Sequence, residues 1–326
     1  MALKTELDLA ALTAVLAPFD LRPLGPRRAQ ALAAGTVNSN FRVETDGGVV
    51  FVRVNEDKSE ADVRYEAELL WHLGVRGFPT PQPLRRGDGT PFVTHEGKPV
   101  TVFPWVADAH HVDGEDITPA HAAAVGGLLA LLHKSAIDFP HKRDGIYTFA
   151  HIARRVERMR GEPRVASVLP MLDEEIDFLR GERAESLPSG TIHGDLFPDN
   201  VLWRGSTVAA ALDFEQASFG RFAYDVAVAM LAWCWSGADL DDARAHAMVA
   251  AYQTVRPLEA VEREAFLVET RAAALRFAVT RLTDVHLSPH PAADHDGKDY
   301  RDYLARLERL RASLPGRARA WTASAA

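Results

Sequence analysis

Ile192-His193-Gly194-Asp195-Leu196-Phe197-Pro198-Asp199-Asn200-Val201-Leu202-Trp203, followed by Ala211-Leu212-Asp213-Phe214-Glu215, is the stretch on which the reading of this chain turns. It sets an Asp, an Asn five residues later and a second Asp where one reaction centre can use all three. Apolar residues flank the acids: Val201 to Trp203 on one side, Val208 to Leu212 on the other. That pattern predicts two short strands around a turn at Arg204-Gly205-Ser206. A hairpin with acidic turn residues is the plain alternative, since Asp and Asn are ordinary turn residues and a lone His-Gly-Asp is weak. The full spacing is harder to reach by accident.

The spacing resembles the kinase pattern His-x-Asp-Leu-x-x-x-Asn followed by Asp-Phe. In that pattern the first Asp accepts the proton of the attacking hydroxyl, and the Asn and second Asp hold Mg²⁺ at the nucleotide phosphates. Gly194 stands where protein kinases carry Arg, and Glu215 where they carry Gly. Both departures lead away from protein kinases and resemble the aminoglycoside, choline and homoserine phosphotransferases, with their signature His-Gly-Asp-x-x-x-x-Asn. The likeness implies Asp195 as catalytic base, with Asn200 and Asp213 as metal ligands, ATP as phosphoryl donor and Mg²⁺ as cation. Hard oxygen donors of this kind suit Mg²⁺. His193 reads as a brace of the loop through backbone near Asp213. Asp225 resembles the family's Asp that fixes the catalytic loop, and an acid at a helix N-terminus is the alternative.

Composition bounds the rest. With 326 residues, 47% hydrophobic and 25% charged, the chain has material for two lobes and a packed core. A net charge of −8 disfavours a nucleic-acid surface. The single cysteine, Cys234, excludes an intramolecular disulfide and a Cys-based zinc site. The start of the chain carries acids where a signal peptide has basic and then apolar residues. The longest apolar run, 226–235, is too short to span a bilayer. A soluble, cytoplasmic protein is expected, without membrane or nucleic-acid partners and as a monomer or homodimer.

Along the chain, a leading helix is predicted over 8–19. Short strands follow at 29–34, 40–44 and 49–54, with a turn at Asp46-Gly47-Gly48. A helix over 61–73 comes next, then the proline-broken stretch 78–83 and strands at 91–94 and 100–105. From Thr118-Pro119 the pattern turns helical: 120–134, 147–160, 170–179, 223–235, 240–254, 258–285 and 299–313. The alanine-rich tail from Arg319 is expected to fray. The order describes an α+β, bilobal protein-kinase-like fold: a small β-rich N-terminal lobe at 1–105 that binds nucleotide, and a large, mainly helical C-terminal lobe at 106–326 for catalysis and acceptor. The nucleotide is expected in the cleft between lobes.

Kinases pair a strand lysine with a helix glutamate. Here Arg53 occupies the strand position, Glu66 fits the helix register, and Lys58 is the nearest other cation. Arginine binds phosphate bidentately, unlike the point charge of lysine. Gly35, Asn38 and Ser39 lie where a phosphate-covering loop belongs, although no G-x-G-x-x-G is present. Phe103 and Trp105 mark the hinge whose backbone would bond the adenine edge. Asp284, His286, His290 and His295 are irregularly spaced among prolines, as in an exposed loop rather than a metal site. Trp233-Cys234-Trp235 reads as core.

Further segments resemble the homoserine kinases of the aminoglycoside-phosphotransferase type: 33–41, 169–176, 224–227 with Trp233-Cys234, and 276–282. The resemblance implies a small-molecule hydroxyl acceptor, L-homoserine ahead of choline, ethanolamine, sugars or aminoglycosides. A nucleotide-sensing module without turnover is the non-enzyme alternative. For a zwitterionic acceptor, Arg276 and Arg281 would meet the carboxylate and Glu215 the ammonium; for Glu215 a second metal and a plain solvent-facing position are the alternatives.

Overall fold

The computed structural model describes residues 4–19, 25–32, 37–288, 298–312 and 315–323. The chain separates into two compact units. One takes Met1–His110 with Leu202–Gly205 and Ala209–Glu215; the other takes His111–Val201, Ser206–Val208 and Gln216–Ala326. The expected division at 105/106 is a single cut, whereas these units interleave along the chain. Asp213 and Glu215 thereby belong to the first unit and Asp195 and Asn200 to the second.

The first unit is built on an antiparallel five-stranded sheet in the order β1-β2-β3-β5-β4. Its strands are β1 (Pro26–Leu32), β2 (Ser39–Thr45), β3 (Gly48–Val54), β4 (Phe92–His95) and β5 (Lys98–Pro104). Val50, Val52 and Val54 of β3 meet Val100 and Val102 of β5 in a core that α1 (Leu9–Leu16) closes with Leu12, Val15 and Leu16. Asp8 caps α1 by accepting from the amide of Ala11 at 2.7 Å. α2 (Glu60–Gly74) starts at a capping box in which Ser59 and Asp62 satisfy each other's amides. Its buried face, with Val63, Glu66, Leu69, Leu70 and Leu73, carries one glutamate among apolar residues.

Two segments from the later chain join this unit. Trp203 exchanges backbone hydrogen bonds with His110, and the Ala211 amide donates to Pro79. These residues belong to the hairpin of β7 (Val201–Arg204) and β8 (Thr207–Ala211). Phe214 then packs edge-on against Phe78 with ring centroids 6.1 Å apart.

The second unit is mainly helical: α3 (Pro119–Ser135), α4 (Phe149–Arg158), α5 (Leu169–Glu182), α6 (Phe222–Trp233), α7 (Asp242–Val255), α8 (Ala260–Arg281), α9 (Tyr300–Ala312) and α10 (Pro315–Thr322). Thr118 caps α3 with Pro119 at its first position, where the missing N–H costs nothing. α3 and α7 approach so closely that a Cβ on Gly126 would lie 2.0 Å from the carbonyl oxygen of Met248. Two short strands missing from the sequence reading, β6 (Ser189–Ile192) and β9 (Ser218–Arg221), pair antiparallel on either side of the loop that carries Asp195. The described part of the tail also departs from expectation, while 324–326 lie outside the described residues. Residues 319–322 complete α10, because Trp321 is buried and its indole N–H donates to Asp242 at 2.7 Å. No helix among the described residues is long and apolar enough to cross a membrane.

Candidate functional site

The loop after β6 holds Asp195 by converging bonds. Gly194 has φ +75°, a left-handed conformation that glycine adopts without steric cost. The buried carboxylate of Asp225 accepts the amides of His193 at 2.8 Å and Gly194 at 2.7 Å. His193 Nδ1 accepts the Asp195 amide at 3.3 Å, and the indole of Trp233 donates to the Leu196 carbonyl at 2.9 Å. Asn200 donates its amide N–H to the Asp195 carbonyl at 2.8 Å, which leaves its oxygen as the group it presents. Asp225 thus braces the loop and does more than sit in a helix dipole.

A buried relay stands behind Asp225. His133 Nε2 lies 3.0 Å from Asp225 Oδ2, and Nδ1 lies 2.8 Å from the Tyr252 hydroxyl. Arg256 donates to that hydroxyl at 3.1 Å and to Glu262 at 3.0 Å. A neutral His133 satisfies every bond: Tyr252 O–H donates to Nδ1, and Nε2–H donates to Asp225. Burial holds the His133 imidazole below its ordinary pKa. Burial alone would raise Asp225, but the hydrogen bond and charge of His133 and the loop amides hold it below the ordinary carboxylate range.

The Asp195 side chain is about one-third exposed, and Arg276 on α8 donates to its Oδ1 at 3.1 Å. Arg276 is buried, with its guanidinium 4.5 Å from the Tyr147 ring centre and 3.8 Å from that of Phe277. Its Nε has no hydrogen-bond partner among the described residues. Beside it opens a cavity of about 200 Å³, lined among others by Tyr147, Arg183, Gly194, Arg221, Tyr224 and Arg276. Arg281 does not line this cavity. Five residues further along the helix and on another face, it donates to the Asp299 carbonyl at 3.0 Å and lies over Tyr303. The sequence reading missed Arg183 and Arg221; one follows α5 and the other ends β9, so no local motif links them.

In the first unit, Arg53 on β3 donates to Glu66 on α2 at 2.7 Å. It also stands 3.4 Å from Glu215, to which Asn38 donates and near which Lys58 lies at 3.5 Å. Burial alone would lower the Arg53 pKa; the charges of Glu66, Glu215 and Asp213 outweigh it and raise the value. The Arg53 guanidinium lies 5.2 Å from the centre of the Phe103 ring. Glu215 is therefore buried among two cations and an amide of its own unit, not presented as a ligand for an acceptor ammonium. Ser39 is likewise internal: its hydroxyl donates to Glu56 at 2.6 Å and accepts the amides of Lys4 and Thr5. The Trp105 amide extends the sheet by donating to Val49 at 3.3 Å, and Arg42 lies over its ring. Asp213 has φ +58°, unusual for a non-glycine residue, and its Oδ1 accepts the Glu215 amide at 3.4 Å. Gly35 lies outside the described residues, as do His290 and His295. Asp284 accepts hydrogen bonds from Arg155 and Thr283.

A family model described as the phosphotransferase enzyme family matches residues 28–260. A homoserine kinase of Beijerinckia indica subsp. indica is 34% identical over 314 residues, covering 94% of this chain and 95% of that protein. One from Methylobacterium sp. is 35% identical over 316 residues, covering 94% and 95%. Among solved structures, a microcompartment-associated aminopropanol kinase superposes with a TM-score of 0.69 at 19% identity, over 95% of this chain and 99% of that one. The amicoumacin kinase hAmiN, in complex with AMP-PNP, Ca²⁺ and Ami, gives 0.67 at 14% identity over 92% and 91%. These two likenesses carry the kinase-like fold alone.

Proposed function

Because the chain belongs to the phosphotransferase enzyme family, as a small-molecule kinase with an alcohol group as acceptor, we propose that it phosphorylates the side-chain hydroxyl of L-homoserine with ATP. The observation that carries the reading is Asp195, held by Arg276 at the edge of a small cavity and fixed by the braced loop. The acceptor is brought from the homoserine kinases matched at 34–35% identity over 94% of the chain.

In this reading Asp195 orients the acceptor hydroxyl and takes its proton as the oxygen bonds to the terminal phosphorus of ATP. The bond from that phosphorus to the bridging oxygen breaks, and ADP leaves. Positioning and charge neutralisation do most of the work in such transfers. Asn200 and Asp213 would hold a divalent cation, Mg²⁺ by donor chemistry, since they offer one neutral and one anionic oxygen. Such a cation, when bound, neutralises charge on the phosphates. Arg53, paired to Glu66, takes the place of the strand lysine. Asn38 and the hinge at Phe103 and Trp105 remain on the nucleotide side of the assignment, as does the segment containing Gly35.

ADP release with a panel of hydroxyl compounds tests both parts. Wild type should favour L-homoserine in kcat/KM over choline, ethanolamine, sugars and aminoglycosides. Asp195→Asn and Asp213→Asn should each fall below about a tenth of the wild-type rate. Retention of more than that by both variants refutes the roles. A flat or choline-dominated profile refutes the acceptor.

A further inference from the structure

Three guanidiniums line the cavity beside Asp195, and no carboxylate does. Arg183 and Arg221 share one buried carboxylate, Glu269. Arg183 donates to it through Nε at 3.0 Å and through Nη2; Arg221 donates through Nη1 at 2.6 Å and gives Nη2 to the Ala184 carbonyl at 2.7 Å. Arg276 is engaged by Asp195. Three cations set against two anions leave one net positive charge at the wall. A desolvated charge of that kind is unfavourable until an anion meets it.

We propose that Arg183 and Arg221, oriented by Glu269, form the carboxylate subsite of the acceptor pocket. The enzyme thereby selects hydroxyl substrates that carry a carboxylate and rejects cationic amino alcohols. The inference rests on the phosphotransfer reading for the role of Asp195, but the charge of the pocket does not depend on it. Arg183 Nη1 and Arg221 Nε make no hydrogen bond among the described residues, so each guanidinium keeps one unbonded nitrogen, and the pair can offer one donor to each oxygen of a carboxylate. A quaternary ammonium needs open ring faces and acids. Here Arg276 covers Tyr147 and Arg183 lies 5.6 Å from the centre of Phe149, so the protein's own cations take those faces. About 200 Å³ is also below the range of about 300–1,000 Å³ that holds drug-sized ligands, so an amino acid fits the size better than an aminoglycoside.

The test compares L-homoserine and 4-hydroxybutyrate with their amides, which keep the hydroxyl and lose the charge. Wild type should prefer each acid over its amide by about 100-fold in kcat/KM, on the scale of a paired charge-assisted contact. Arg221→Gln, and independently Arg183→Gln, should collapse that ratio to about 10 or less, chiefly by lowering turnover of the acid. Arg221→Lys should retain part of it. Two variants on separate elements guard against one that fails to fold, as does reading a ratio rather than a rate. Calorimetric titration of the same acids and amides reads discrimination without turnover. Acid-selective binding that is lost in the variants, with no turnover of any acceptor, would sink the phosphotransfer reading and leave the subsite standing. Equal use and equal binding of acid and amide by wild type would overturn the subsite, and so would variants that lower both by the same factor.

Discussion

Arg276 Nη1 stands 3.1 Å from Asp195 Oδ1 while its guanidinium lies over both Tyr147 and Phe277. The stacking fixes the plane of the cation, and the cation fixes one oxygen of the candidate base. Arg276→Met should lower kcat by about 100-fold, the scale of a misplaced reacting group, while KM for ATP moves less than about threefold. Arg276→Lys should recover little, because an ammonium does not stack as a planar fork. Steady-state kinetics of both variants decide it; an unchanged kcat in Arg276→Met removes the positioning role.

The His133–Asp225 pair predicts a direction for stability with pH. The folded His133 imidazole titrates below its ordinary value of about 6.5, so near that pH the unfolded chain binds a proton that the folded chain does not. Stability should therefore fall as pH drops below about 6.5. Asp225 adds a second loss at lower pH, because its depressed carboxyl stabilises the fold only until it is protonated. Tm measured from pH 8 to 4.5 should decline in wild type and decline less steeply between about 6.5 and 5 in His133→Gln. Parallel curves would mean that other groups govern acid sensitivity.

Arg53 is the counterion of two buried glutamates, Glu66 and Glu215. Arg53→Met should cost about 3–5 kcal/mol, as when one member of a buried ion pair is removed. Arg53→Lys should cost less by keeping one pair. Urea unfolding gives both numbers from the midpoint and slope. A loss under about 1 kcal/mol in Arg53→Met would show that Lys58 takes over both carboxylates.

Adjacent glycines on α3 should respond oppositely to alanine. At Gly126 the new Cβ meets the Met248 carbonyl at 2.0 Å, so the helices must part, at a cost of about 1–3 kcal/mol. At Gly127 nothing lies within 4 Å, so the gain in helix propensity of about 0.5–1 kcal/mol should appear. Thermal or urea unfolding of the two variants checks the signs. Matching signs would mean that α3 and α7 are not packed this closely.

Elements whose causes are local were readable from the chain. The β3 strand with its apolar run, α2 behind its Ser59 cap and α3 behind Thr118-Pro119 fall within a residue or two of their expected bounds. The loop around Asp195 and Asn200 was legible in part, because His193-Gly194-Asp195 and Asn200 lie close in the chain and are tied by local bonds. What failed depends on distant partners. Glu215 looks like a solvent or ligand acid until Arg53 and Lys58 are brought to it. Arg276 and Arg281 share one helix, yet at about 100° per residue they point about 140° apart around it, one to the cavity and the other to Asp299. Arg183 and Arg221 carry no motif at all, since Glu269 joins them across 86 and 48 residues of chain. β6 and β9 are only four residues each, too short for alternation to stand out.

The interleaving of the two compact units has a practical consequence for anyone who dissects this protein. A fragment ending near residue 110 lacks the returning strand pieces that pair with His110 and Pro79. A fragment beginning at 111 carries those pieces with Trp203, Ala211 and Phe214 stripped of the cover that buries them in the whole chain. Neither half is a natural product of a single cut, and the second would expose an aggregation-prone hairpin. Split reporters, truncation libraries and limited-proteolysis maps should therefore find no clean boundary at the junction where the strand-rich sequence gives way to helices.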